Sequence, residues 1–332
     1  MNSSDARGAE SFGHVSEDRL TELFDEVPVP PGVERWRGQL TVPPTRRWRL
    51  AAASTAFAVL VIVALVELWP THPSVRPVEP PSSEALWPSA TTTGVLDGPP
   101  LATHEGDLHI TTAGAVISDL LVRGTVFVDA PDVTLRRIRI VPALDTEYGL
   151  YQRAANLTVD RCEIGPGLQF GVLQSEPGLS LSRCHLSGLL VGLTLRQGAV
   201  VSDTLIDGMV AGPYTAGILT HGVDGGPVVI RHNTILIGSD GGYAIGLMPT
   251  YGPSQNITVE NNLLAGGGFS LSGGGLSAPL TRGIQIIGNH FSRMIYPHGG
   301  SQGPATAFDP DRADAVWRDN VWHETGEPVA VP

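Results

Sequence analysis

The sequence predicts an all-β fold, a parallel β-helix (solenoid), preceded by one transmembrane α-helix. Three observations predict it. Eight short runs between residues 133 and 322 repeat one frame: alternating apolar residues, two polar residues, a recurring position, then another apolar residue. An uninterrupted weakly polar to apolar stretch at 50–66 lies between Trp48 and Trp69. Charged residues make up only 16% of the chain while hydrophobic residues reach 42%, which excludes a polar disordered chain and leaves enough apolar side chains for a core.

Residues 1–48 read as a cytoplasmic tail holding one short amphipathic helix. Ser16 can cap it, Glu17 and Asp18 suit the positive end of the helix dipole, and Leu20, Leu23, Phe24 and Val27 fall on one face before Pro28. So short a helix is unstable alone, so it is either marginal or the dock for a cytoplasmic partner.

Residues 49–69 read as the transmembrane helix. Trp48 and Trp69 are 21 residues apart, about 31 Å at 1.5 Å per residue, which matches the hydrocarbon thickness with a Trp at each interface. Arg35, Arg37, Arg46, Arg47 and Arg49 precede the span and Glu67 follows it, which puts the N-terminus inside and the large domain outside the cell membrane. The long tail and the lack of a nearby small-x-small site argue against a cleaved signal peptide. Residues 70–104 are rich in Pro, Ser and Thr and read as an extended linker.

Residues 105–332 carry the repeat. The runs are VTLRRIRI, LTVDRCEI, LSLSRCHL, AVVSDTLI, VVIRHNTI, ITVENNLL, IQIIGNHF and AVWRDNVW. The recurring position is held by Ile138, Cys162, Cys184, Thr204, Asn233, Asn262, Asn289 and Asn320, at intervals of 24, 22, 20, 29, 29, 27 and 31 residues. Such a period fits three short strands per turn, with equivalent side chains stacked about 4.8 Å apart. The four asparagines then form an internal ladder that serves the fold. Cys162 and Cys184 share that position on adjacent coils, as a disulfide or as two small core thiols. A second strand per coil begins with Gly at GLYQR, GVLQS, GLTLR and GILTH, and the Gly reads as the corner between strands. Leu150, Val172, Leu193, Ile218 and Ile245 should face inward; Tyr151, Leu173, Thr194 and Leu219 should face outward. Arg153, Ser175, Arg196 and His221 should come into register on one edge.

The stretches RHNTILIG, ITVENNLLAGGGFSLSGGG, IIGNHFSRMIYPHGGSQGPATAF and WRDNVWHETGEPV resemble secreted right-handed parallel β-helix proteins of actinobacteria, in the pectate-lyase-like superfamily. The resemblance implies a right-handed coil and a polysaccharide ligand. It implies, for a catalytic member, a polysaccharide lyase or glycoside hydrolase. Where relatives carry His-Thr-Asp-Gly-Ile, this chain reads HGVDGG, with His221 and Asp224 at altered spacing.

Two groups of residues can carry chemistry. The first joins Tyr151, Arg153 and Arg196, as contacts to a uronate or other anionic sugar, with His221 and Asp224 as catalytic candidates. The second joins His290, Arg293 and Tyr296 as substrate contacts, with His298 as a proton carrier. The structural alternative for both is a set of solvated turn residues. Neither the carboxylate cluster of a calcium-dependent lyase nor the paired acids of a hydrolase is visible; Asp203, Asp207 and Asp224 are the nearest acids to such a cluster, the first two at turns. No metal site and no cofactor is expected. The net charge of −12 and the absence of lysine disfavour nucleic acid as a partner. The expected function is binding, with or without processing, of polysaccharide at the cell surface. The competing readings are a non-catalytic adhesion module and a sensor that signals to the tail.

Overall fold

The computed structural model describes residues 87–143, 146–223, 226–275 and 281–332. The tail helix, the transmembrane helix and linker residues 70–86 lie outside the described residues. Among the described residues no helix is long and apolar enough to cross a membrane.

The described chain is an all-β parallel solenoid, the arrangement expected of a β-helix. Its strands form a 17-stranded and a 9-stranded sheet, each linking successive coils. One coil shows the pattern. Leu179–Ser182 and His185–Ser187 lie in the first sheet, separated by a bend, and Leu189–Leu195 lies in the second. Each pairs in parallel with its equivalents one coil before and one coil after. Strands of the inner coils therefore have their backbone groups satisfied on both edges, which allows so much β-structure with so little charge.

The bend explains the recurring position. The residue before it adopts a left-handed conformation in coil after coil: Arg161 (φ 53°), Arg183 (54°), Asp203 (52°), His232 (49°), Asn261 (52°) and Asp319 (57°). This turn draws the next backbone N–H out of the sheet, and a side chain of the following coil accepts it. Cys162 N donates to Cys184 Sγ (3.3 Å), Cys184 N to Thr204 Oγ1 (3.3 Å) and Thr204 N to Asn233 Oδ1 (3.0 Å). Asn233, Asn262 and Asn289 continue the chain, each donating both its backbone N and its Nδ2 to the next Oδ1 at 2.9–3.0 Å. The spare Nδ2 hydrogens go to backbone carbonyls such as Ile230 and Val259. The asparagines are thus structural, as expected. Cys162 and Cys184 are buried free thiols within the same ladder. Burial pushes the Cys184 thiol well above its ordinary pKa, so it stays protonated and unreactive.

Leu150, Val172, Leu193, Ile218 and Ile245 are fully buried in the main core. The glycine beside them is not a corner. Gly171 and Gly192 lie inside the strands Leu168–Gln174 and Leu189–Leu195. Phe170 and Val191, just before them, join a separate apolar cluster, while Val172 and Leu193, just after, face the main core. Alternation slips by one residue there, and the backbones approach closely. A Cβ on Gly171 would stand 2.5 Å from the Gly192 carbonyl oxygen, and one on Gly192 2.4 Å from that of Gly217.

The end of the segment expected as linker packs on the domain. Residues 102–105 form the first strand, Ala102–Glu105, paired with Val116–Arg123. Residues 87–99 form a strap over the first sheet, with Gly94 N bonded to the Arg183 carbonyl at 2.9 Å. The Arg137 guanidinium donates to the carbonyls of Leu96 (2.6 Å), Asp97 and Pro99 (both 3.2 Å) and to Asp119 (2.7 Å). At the other end of the solenoid the C-terminal segment covers the last coil. Trp317 Nε1 donates to the Val329 carbonyl (3.0 Å), and Val329 N to that of Asn320 (2.8 Å).

Candidate functional site

The second sheet brings part of the first group together. The pairings Gln152↔Gln174, Thr194↔Leu173 and Leu195↔Thr220 put Arg153, Ser175, Arg196 and His221 one coil apart at the strand ends. Arg153 and His221, three coils apart, are then about 14 Å from one another along the axis. Buried glutamines support this edge from inside. Gln174 Oε1 accepts from Arg196 N at 2.7 Å, and its Nε2 donates to the Glu176 and Gln197 carbonyls, both at 3.0 Å.

Tyr151 and Arg153 belong to an aromatic stack that the sequence reading did not assemble. His109 stacks on Phe127 at 4.7 Å, Phe127 meets Tyr151 at 6.2 Å, and Tyr148 links Tyr151 to Phe170. The Arg153 guanidinium lies 4.0 Å from the Phe127 ring centre and 4.6 Å from that of Tyr151. Its Nη1 is 3.4 Å from Asp129, whose other oxygen meets His109 at 3.0 Å. The missed signal was one aromatic or His at the outward position of three consecutive second-sheet strands: Leu108–Ile110, Val126–Val128 and Tyr148–Gln152.

His221 is half-buried, 5.7 Å from the Tyr251 ring, with Nδ1 3.4 Å from Thr250 Oγ1. Burial first, and the Arg196 charge second, lower its pKa from 6.5 to about 4. It is a neutral imidazole at neutral pH. Asp224 lies outside the described residues.

The second group does not converge. His290 faces out from the first sheet beside Trp87. The Arg293 guanidinium lies 3.9 Å over the Trp322 ring, and the Tyr296 hydroxyl donates to the Gly238 carbonyl at 3.1 Å. His298 is exposed. Arg293 and Tyr296 thereby hold the loop rather than line a shared cleft.

Instead, His290 joins a cluster with Trp87 that no sequence pattern announced. The Trp87 ring centre lies 5.7 Å from that of His232, 5.1 Å from His290 and 6.3 Å from His323. Asp203 holds His232 Nδ1 at 2.7 Å, and Asp207 holds His185 Nε2 at 2.8 Å. Two of the three acids nearest to a lyase-type cluster, Asp203 and Asp207, are therefore tied up in separate His pairs. Among the described residues no three His, Cys, Asp or Glu side chains gather as a metal site.

No protein-family model, curated protein or solved structure matches the chain.

Proposed function

We propose that this chain is a membrane-anchored right-handed β-helix that stands outside the cell and binds polysaccharide without cleaving it. The carrying observation is the row Arg153, Ser175, Arg196 and His221, one per coil along the edge of the second sheet. A linear array of donors at about 4.8 Å steps suits an extended ligand lying parallel to the solenoid axis. Arg153 and Arg196 would donate to hydroxyl or carboxylate oxygens, and neutral His221 adds a hydrogen-bonding ring at the end of the row. Asp203 and Asp207 pair with histidines on the first sheet, away from this edge, so neither supplies the row with an acid or base, which supports binding over catalysis.

Affinity electrophoresis of the full chain through gels containing different polysaccharides tests this. One polymer should retard the wild type, and Arg153→Ala with Arg196→Ala should weaken that retention at least tenfold, as two lost charge-assisted contacts imply. The same polymer should give no unsaturated product and no new reducing ends. Retardation by no polymer would remove the proposal.

A second reading, as a sensor, is favoured by the strap at residues 87–99. It ties the segment that follows the expected membrane span to the solenoid. A pull-down with the tail at residues 1–48 tests that reading.

A further inference from the structure

The geometry points to a cation site separate from the proposed glycan edge: the Nδ1 atoms of His290 and His323 form a two-point chelate for a borderline divalent ion such as Zn²⁺, Ni²⁺ or Cu²⁺. The two nitrogens lie 3.4 Å apart. That is long for a hydrogen bond between rings. It matches the separation of about 3.3 Å between two ligands on one tetrahedral zinc, given Zn–N bonds of about 2.0–2.1 Å. The ring planes cross at 65°.

The backbone of both residues is fixed before any ion arrives. His290 N donates to the Asn262 carbonyl and His323 N to that of Phe291, each at 2.8 Å. His290–Phe291 pairs in parallel with Val321–Trp322, so the two histidines sit on neighbouring coils of one ladder. Pre-organisation of this kind lowers the ordering cost of binding.

The electrostatics agree. Glu324 stands beside His323. Its carboxylate accepts hydrogen bonds from Ser292 Oγ and the Arg293 backbone N–H. Its negative charge offsets that of an incoming cation, against the Arg293 guanidinium, which is drawn aside over Trp322. Trp87 shields one side of the pair. His232 lies against Trp87 too, but Asp203 engages its Nδ1. Among the described residues no third His, Cys, Asp or Glu completes a set, so water fills the remaining positions. Two imidazoles select borderline metals over calcium, which takes oxygen ligands.

Calorimetric titration of the full chain with ZnCl₂ or NiCl₂ tests the site. One saturable event should appear that His290→Gln and His323→Gln each weaken at least tenfold and that His232→Gln and His298→Gln leave in place. CaCl₂ should produce none. Cu²⁺ should quench tryptophan emission, and Trp87→Phe should remove part of the quenching while binding persists. His323 is exposed, so its substitution leaves the fold intact, as circular dichroism would verify. Binding that survives both His290→Gln and His323→Gln belongs to another of the ten histidines and overturns the assignment, as does the absence of a saturable event.

Discussion

At the scale of the residue, the bend decides which side chains a coil tolerates. A left-handed residue turns the chain, and the next N–H needs an acceptor from the coil after it. Asparagine meets that need best, because one amide accepts from the coil before and still donates to a carbonyl. Thr204 and Cys184 do it with one side-chain atom, accepting from the previous coil and donating to the carbonyl two residues earlier at 2.9 and 3.2 Å. Replacing Asn262 by Ala would strip the acceptor from both Asn233 N and Asn233 Nδ2 inside a dry core. Leaving such groups unpaired costs about 1–3 kcal/mol each. Asn262→Ala is therefore expected to destabilise the solenoid by about 3 kcal/mol, read as a melting temperature lower by about 5–10 °C. An unchanged melting temperature would deny the ladder its energetic role.

His221 gives the second prediction at this scale. Its folded-state pKa of about 4 lies below the ordinary 6.5. Between those values the unfolded chain binds a proton that the folded chain does not. The contribution of this group is therefore fully present above about pH 6.5 and is lost as the pH falls toward 4. Its ring resonances should titrate with a midpoint near pH 4. Denaturant curves for the wild type and His221→Gln should draw closer together on acidification. A ring midpoint near 6.5 would show that the imidazole is solvated.

At the scale of the element, the strap at residues 87–99 is the main departure from expectation. A Pro-rich composition predicts extension, and the segment is largely irregular, but it is not a free stalk. Trp87 anchors one end among three histidines and Arg137 grips the other through three carbonyls. Gly98 is small enough for that grip: a Cβ there would fall 2.6 Å from the Arg137 guanidinium carbon. Trp87→Ala should release the near end, so that amide exchange across residues 87–94 speeds up at least tenfold while the ladder strands keep their protection. Unaltered exchange would mean that Arg137 and the Gly94–Arg183 bond alone hold the strap. The strap was illegible in the sequence because its contacts join residues far apart. Trp87 and His232 are separated by 145 positions, with no repeat linking them.

At the scale of the whole molecule, coil-on-coil pairing turns a sequence period into a surface. Any outward position becomes a line of side chains along the axis. This is why Arg153, Arg196 and His221 could be placed in register from the sequence, and why the predicted edge is present. It is also why the second candidate group fell apart. His290 lies in a strand, whereas Arg293, Tyr296 and His298 lie in the following loop. No register ties a loop residue to its neighbours, and each of the first two found a different partner.

The sequence by itself determined the coil: its period, its inward faces, and the ladder from Cys162 to Asn320. Those features are local and repeated, so each run carries the same evidence. Only the tertiary structure decided what the polar residues do. It left the two cysteines as thiols, slipped the strands at their glycines, closed Asp203 and Asp207 into histidine pairs, and set His290 against His323 beneath Trp87. The physical reason is that a repeat specifies where a side chain points, whereas charge pairing and ring packing depend on which other side chain arrives there.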